Sequence, residues 1–176
     1  MIDSMWNFVA RSIATRPCLI YCIQQYASKR PYSHLFHSDG SPYMSRWWLM
    51  PKWMLGRDEF GEYFPHDWMP IKIRLHHIHT ADYERDLHDH PADYRTLLIK
   101  GWYDEEDIFG DRQEFYAGES RKARAETFHR IKFVGLGGTW TIFIMWKKRL
   151  RWGFLVDGHK IYWKDYFKQK DSKTIP

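Results

Sequence analysis

The residues best suited to chemistry lie in the stretch Leu87-His88-Asp89-His90-Pro91. In an extended segment, side chains two apart point to the same face. His88 and His90 are therefore expected to converge on one point about the size of a metal ion. Imidazole nitrogen binds Zn, Fe, Mn, Cu and Ni at roughly 2.0–2.2 Å. A short extended segment cannot enclose a cation alone, so a further ligand must come from a distant strand. The bland alternative is a buried histidine pair satisfied by hydrogen bonds.

Other groups in the chain could serve such a site. The run Leu75-His-His-Ile-His79 puts His77 and His79 on one face and His76 on the other. One of them is expected to orient a ligand beside the histidine pair, and His77 is the first choice. Arg85 precedes the pair and Arg130 lies on a candidate strand. Either could clamp a carboxylate or phosphate through two parallel hydrogen bonds, with a structural ion pair as the alternative. Trp102 is a candidate apolar wall. Asp93 is a spare carboxylate a few residues past His90.

The elements that must position these residues are short strands. Residues 71–79, 95–103, 113–116, 129–134, 139–146, 151–156 and 160–163 are rich in β-branched and aromatic residues. Pro91, Gly110, Gly135-Leu-Gly-Gly138 and Asp157-Gly158 separate them, the last pair suiting a hairpin turn. Many short strands without long helices between them argue for a sandwich or barrel. Residues 4–29 carry apolar residues at helical spacing, with Pro17 marking a break. Residues 30–45 have loop composition, and 46–50 look like a first strand. Residues 51–70 are expected to be irregular. The division is a helical and loop extension over 1–45, a β-barrel over 46–167 and a polar tail over 168–176.

The chain has 176 residues, enough for one domain that needs no disulfide. Its two cysteines, Cys18 and Cys22, share a helical face and are expected to be reduced and mostly buried. Reduced thiols fit a cytoplasmic setting. The apolar run 18–23 is too short to span a bilayer. The net charge of +5 and the basic runs 121–124 and 147–151 favour anionic partners. A small polar or anionic molecule is the first such partner and nucleic acid a secondary one, while solvated basic loops are the plain alternative.

The sequence resembles the cupin superfamily. The first cupin motif has Gly, His-x-His, Glu and Gly at set spacings, and His88-x-His90 followed by Gly101 falls in that register. The second motif runs from Gly through Pro-x-Gly to His and Asn, and Gly118 followed by His129 keeps its spacing. Thr80 stands where the opening glycine belongs, Tyr94 where the family has its Glu ligand, and Phe133 where Asn closes the motif. Leu87–Pro91, His129-Arg-Ile131 and Arg151-Trp-Gly-Phe154 also look like short cupin-like proteins of phage and bacterial genomes. The resemblance implies a mainly β, jelly-roll double-stranded β-helix.

The resemblance further implies a divalent metal (Fe, Mn, Ni, Zn or Cu) held by His88, His90 and His129. Tyr94 would then face the metal's ligand as a hydrogen-bond donor. Neutral three-histidine sites occur among cupins that resemble thiol dioxygenases. A metal-dependent, oxygenase-like enzyme acting on a small polar or anionic molecule is the first functional expectation. The alternatives are a non-catalytic pocket that sequesters an anionic metabolite or nucleotide, and a structural or interaction protein. Cupins commonly pair through strands, so a homodimer is also expected. The tryptophans at 47, 48, 53 and 68 are candidate interface residues.

Overall fold

The computed structural model describes residues 2–57, 61–82 and 86–173. Two helices, α1 (Ile2–Ala14) and α2 (Pro17–Ser28), come first, and Pro17 opens the second of them. Proline suits that position because its missing N–H has no acceptor in the first turn. Strands follow: β1 (Tyr32–Phe36), β2 (Pro42–Trp48), β3 (Leu55–Arg57), β4 (Tyr63–Pro65), β5 (Lys72–Ile78), β6 (Tyr94–Lys100) and β7 (Trp102–Asp107). Then come β8 (Arg112–Tyr116), β9 (Ser120–Ala123), β10 (His129–Val134), β11 (Thr139–Met145), β12 (Gly153–Val156), β13 (His159–Tyr162) and helix α3 (Trp163–Lys173).

One layer is a six-stranded sheet in the order β1-β2-β5-β11-β6-β9. The other contains β10-β7-β8 and the hairpin β12-β13. All the pairings within these sheets are antiparallel. The chain is thus mainly β, as expected.

Several expectations need correction. Most of residues 30–45 belong to the β1–β2 hairpin, whose tip is the short turn in which His37 N–H donates to Ser41 O at 2.9 Å. The expected strand 95–103 is two strands, β6 and β7. Gly101 sits between them with φ +81°, and a Cβ there would lie 2.6 Å from Gly138 O. Gly118, between β8 and β9, also has a positive φ, and Arg11 of α1 packs over it. The basic run at 121–124 falls mostly in β9 rather than a solvated loop, and residues 168–173 continue α3 rather than forming a loose tail. Cys18 and Cys22 are exposed. Trp48 is buried and Trp47 stacks on Trp140, whereas Trp53 and Trp68 are exposed.

Both faces of the six-stranded sheet are covered. On its outer face, Ile20 and Ala27 of α2 pack with Leu75 and Ile99. Ala10 of α1, flanked by Trp6 and Val9, packs with Leu97 and Ile144. The helices therefore act as a lid over the outside of the sheet. That explains why β6 is buried along nearly its whole length instead of alternating. Inside, Ile78, Leu98, Tyr103, Phe115 and Ile131 form an apolar plug between the two layers. No helix among the described residues is long and apolar enough to cross a membrane.

Leu75 is fully buried between β5 and α2. Leu75→Ala is expected to lower unfolding free energy by about 2–5 kcal/mol, through lost transfer energy and a residual cavity. A urea titration followed by circular dichroism measures it.

Candidate metal centre

Four strands run from the apolar plug into a polar half of the barrel, and two-residue periodicity makes the change. On β6, Leu98 gives way to Tyr94 across Thr96. On β7, Tyr103 is followed on the same face by Glu105. On β10, Ile131 is preceded by His129, and on β5 Ile78 is preceded by His76. The inward positions thus change from hydrocarbon to polar chemistry within about one strand repeat.

The His88–His90 segment lies outside the named strands but is stitched between two of them. His88 N–H donates to His129 O at 2.9 Å, and His129 N–H returns a bond to His88 O at 3.0 Å. On the other side Leu155 N–H donates to Leu87 O at 2.7 Å and Asp89 N–H to Gly153 O at 3.1 Å. The segment therefore bridges β10 and β12, and its alternation is that of a strand. Asp89 turns away from the two histidines and is 1% exposed. Its Oδ1 accepts from Gly153 N–H at 2.7 Å and its Oδ2 pairs with the Lys160 ammonium.

The three histidines meet. Ligand-type atoms of His88, His90 and His129 all lie within 4.8 Å of one another. His90 Nε2 is 3.0 Å from His129 Nε2. Two imidazole nitrogens sharing one cation at about 2.1 Å sit roughly 3.0–3.4 Å apart. The spacing therefore fits a common divalent ion. Burial, with the neighbouring histidines and Arg121 adding to it, holds His90 well below its ordinary range. Burial and then the Arg121 charge do the same to His129. Both rings are therefore neutral near pH 7, the form a metal requires.

Around the rings stands a buried polar chain. Tyr94 Oη is 3.1 Å from His129 Nε2 and accepts a hydrogen bond from Arg121 Nη1. Arg121 also pairs with Glu105. Glu105 Oε2 in turn lies 3.2 Å from His129 Nδ1. The two groups face each other without a hydrogen bond, since His129 Nδ1 has no hydrogen-bond partner among the described residues. Burial raises the Tyr94 phenol above its ordinary value, so it stays protonated and can donate.

The other candidates fall elsewhere. His77 faces the outside of the sheet, stacked on Trp140 at 4.2 Å between ring centroids, and it is His76 that turns inward. The first choice on β5 therefore has the wrong parity. Arg130 donates to Glu106 at 2.9 Å on the face opposite His129. Trp102 stacks on Tyr116, away from the histidines. Asp93 accepts from Ala125 N–H at 2.9 Å and from Arg149 at 2.6 Å, so its carboxylate is committed at the surface. Arg85 lies outside the described residues.

Sequence reasoning missed Glu105 and Arg121. The run Asp104-Glu-Glu-Asp107 beside aromatic residues was a usable signal, since alternation must turn some of those carboxylates inward. Nothing local marks Arg121 as buried.

The two-layer barrel with histidines inside one end is the cupin fold, and this chain has it. The DMSP lyase DddQ from Ruegeria pomeroyi DSS-3 matches with a TM-score of 0.54 at 10% identity, over 82% of this chain and 75% of that one. A cupin-2 domain from Rhodospirillum rubrum gives 0.48 at 9% identity, over 72% and 76%. Ectoine synthase from P. lautus gives 0.48 at 9%, over 71% and 75%. At these identities the likeness concerns the fold alone. No family model and no curated protein matches the sequence.

Two outcomes are expected. His76, His90 and His129 all sit below the ordinary value of 6.5, with burial the first cause of each. The unfolded chain then binds protons that the folded chain refuses. Stability of the metal-free protein is full above pH ~6.5 and falls as pH drops below it, by up to about 1.4 kcal/mol per pH unit per histidine. Urea midpoints measured across that window test this. Asp89→Ala leaves the buried Gly153 N–H without its acceptor, while the exposed Lys160 ammonium can turn to water, and is expected to cost about 1–3 kcal/mol. Chemical denaturation at neutral pH is the check.

Proposed function

We propose that this chain is a metal-dependent cupin that acts on a small polar or anionic molecule inside its barrel. The observation that carries the reading is the 3.0 Å approach of two neutral imidazole nitrogens, with a third histidine close by. His88, His90 and His129 are the residues that would hold a divalent ion, drawn from Fe, Mn, Ni, Zn or Cu. Such an ion, when bound, supplies a Lewis acid and, for the redox-active metals, an electron donor and acceptor.

The chain's own residues have separable roles. Glu105 faces the His129 ring on its Nδ1 side. Arg121 holds the Tyr94 hydroxyl in place and balances the Glu105 charge. Tyr94 keeps its proton and presents it toward the centre, where it would donate to an electron-rich atom of the bound molecule. The plug of Ile78, Leu98, Tyr103, Phe115 and Ile131 closes one end of the barrel to water. A three-histidine donor set carries no charge, so the ion's full charge would attract anionic molecules. Three protein ligands would also leave open positions where a substrate and oxygen could sit side by side on a redox-active ion, which is the basis for an oxygenase-like reading.

Purified protein is expected to carry a stoichiometric divalent metal by elemental analysis, and its melting temperature should rise on metal addition after chelation. His129→Ala should lose both. A wild-type protein that takes up none of Fe, Mn, Ni, Zn or Cu overturns the proposal and leaves the barrel as a metal-free pocket.

A further inference from the structure

The inner face of the larger sheet carries a second group of polar side chains beyond the histidine cluster. Cross-strand register places Arg46 opposite His76, and His76 opposite Thr141. One repeat along, Trp48 is opposite Arg74, and Arg74 opposite Phe143. These residues share the barrel side of β2, β5 and β11. His76 is 8% exposed and Thr141 1%. Neither His76 Nε2 nor Thr141 Oγ1 has a hydrogen-bond partner among the described residues. Two adjacent unpartnered polar groups at such depth are costly unless something binds them.

The surroundings indicate what would bind. Arg46 donates to Ser33 Oγ at 2.6 Å, and the Arg74 guanidinium lies 3.7 Å above the Trp48 ring. Both arginines are half-buried. Burial and then the Arg46 charge depress Arg74 well below its ordinary value, and the opposing contribution comes from Glu62. The same two arginines, after burial, depress His76. Two guanidinium groups thus act on His76 from this face, with Glu62 opposing them at Arg74. Phe143 links the two regions, stacked on His76 at 5.0 Å and facing His90 at 5.5 Å between ring centroids.

We propose that Arg46, Arg74, His76 and Thr141 form a carboxylate-binding subsite one aromatic ring away from the histidine cluster. The arginines supply charge and paired N–H donors, which match a planar carboxylate. His76 Nε2 and Thr141 Oγ1 complete its hydrogen bonding. Trp48 and Phe143 flank it as apolar walls, so the ligand is a small organic acid rather than a free inorganic oxyanion. That the carboxylate belongs to the molecule transformed at the histidines rests on the metal reading above. The subsite itself does not need a metal.

The test is isothermal titration calorimetry with malonate and, separately, inorganic phosphate, on chelator-treated wild-type protein. Malonate is expected to bind, and phosphate to bind more weakly. Arg74→Met and Thr141→Val should each weaken malonate binding about tenfold or more, as for lost hydrogen bonds to a charged group. Thr141→Val keeps the side-chain shape and deletes an unsatisfied hydroxyl, so its melting temperature without malonate should be unchanged or higher. That variant separates binding from folding if Arg74→Met is unstable. Failure of malonate to bind, equal binding by folded Thr141→Val, or phosphate binding more tightly than malonate each overturns the proposal. Because the protein is metal-free throughout, loss of the metal reading and loss of this one give different results.

Discussion

The two backbone hydrogen bonds between His88 and His129 tie together parts of the chain far apart in sequence, and the candidate site depends on them. They turn a connecting segment into a strand-like bridge between β10 and the β12–β13 hairpin. Side-chain parity then follows, with His88 and His90 inward and Asp89 outward. The buried Asp89 carboxylate holds the far side by accepting from Gly153 and pairing with Lys160. The ligand geometry is thus set by backbone pairing, which is stiffer than any side-chain contact in an exposed loop would be.

The barrel divides its interior between two kinds of chemistry. An apolar plug fills one end and supplies hydrophobic stabilisation. The other end holds histidines, Tyr94, Arg121 and Glu105 in mutual contact. Burying Arg121 with Glu105 carries a desolvation penalty, and such pairs seldom add net stability. Their value is in orientation, because Glu105 holds Arg121 and Arg121 holds the Tyr94 hydroxyl that touches the centre. Stability comes from elsewhere, in the plug and in the two helices that cover the outer face of the larger sheet.

Tyr94 shows how the departure from the cupin pattern is accommodated. It stands where the sequence resemblance would put a Glu ligand, and a carboxylate nonetheless reaches the neighbourhood of the histidines from β7. Glu105 approaches His129 from behind, at Nδ1. That carboxylate is neutralised by its pairing with Arg121 and stands one atom shell further out, and the inner donors are neutral.

Much of this was determined by the sequence alone. The alternation in His88-Asp89-His90 sets the parity of the pair, and the resemblance to the cupin motifs pointed to His129. The hairpin turn at Asp157-Gly158 followed from local preference, and both residues have positive φ. These are short-range properties that a few consecutive residues decide. Strand partners and the burial of charged residues were decided by the tertiary structure. Whether β5 offers His76 or His77 to the interior depends on which face α2 covers, and periodicity cannot tell the two faces apart. Arg121 looks like any solvated basic residue until β9 pairs with β6 and turns it toward Glu105. Long-range pairing chooses which of two equivalent faces becomes the inside, so it decides which polar residues are brought together.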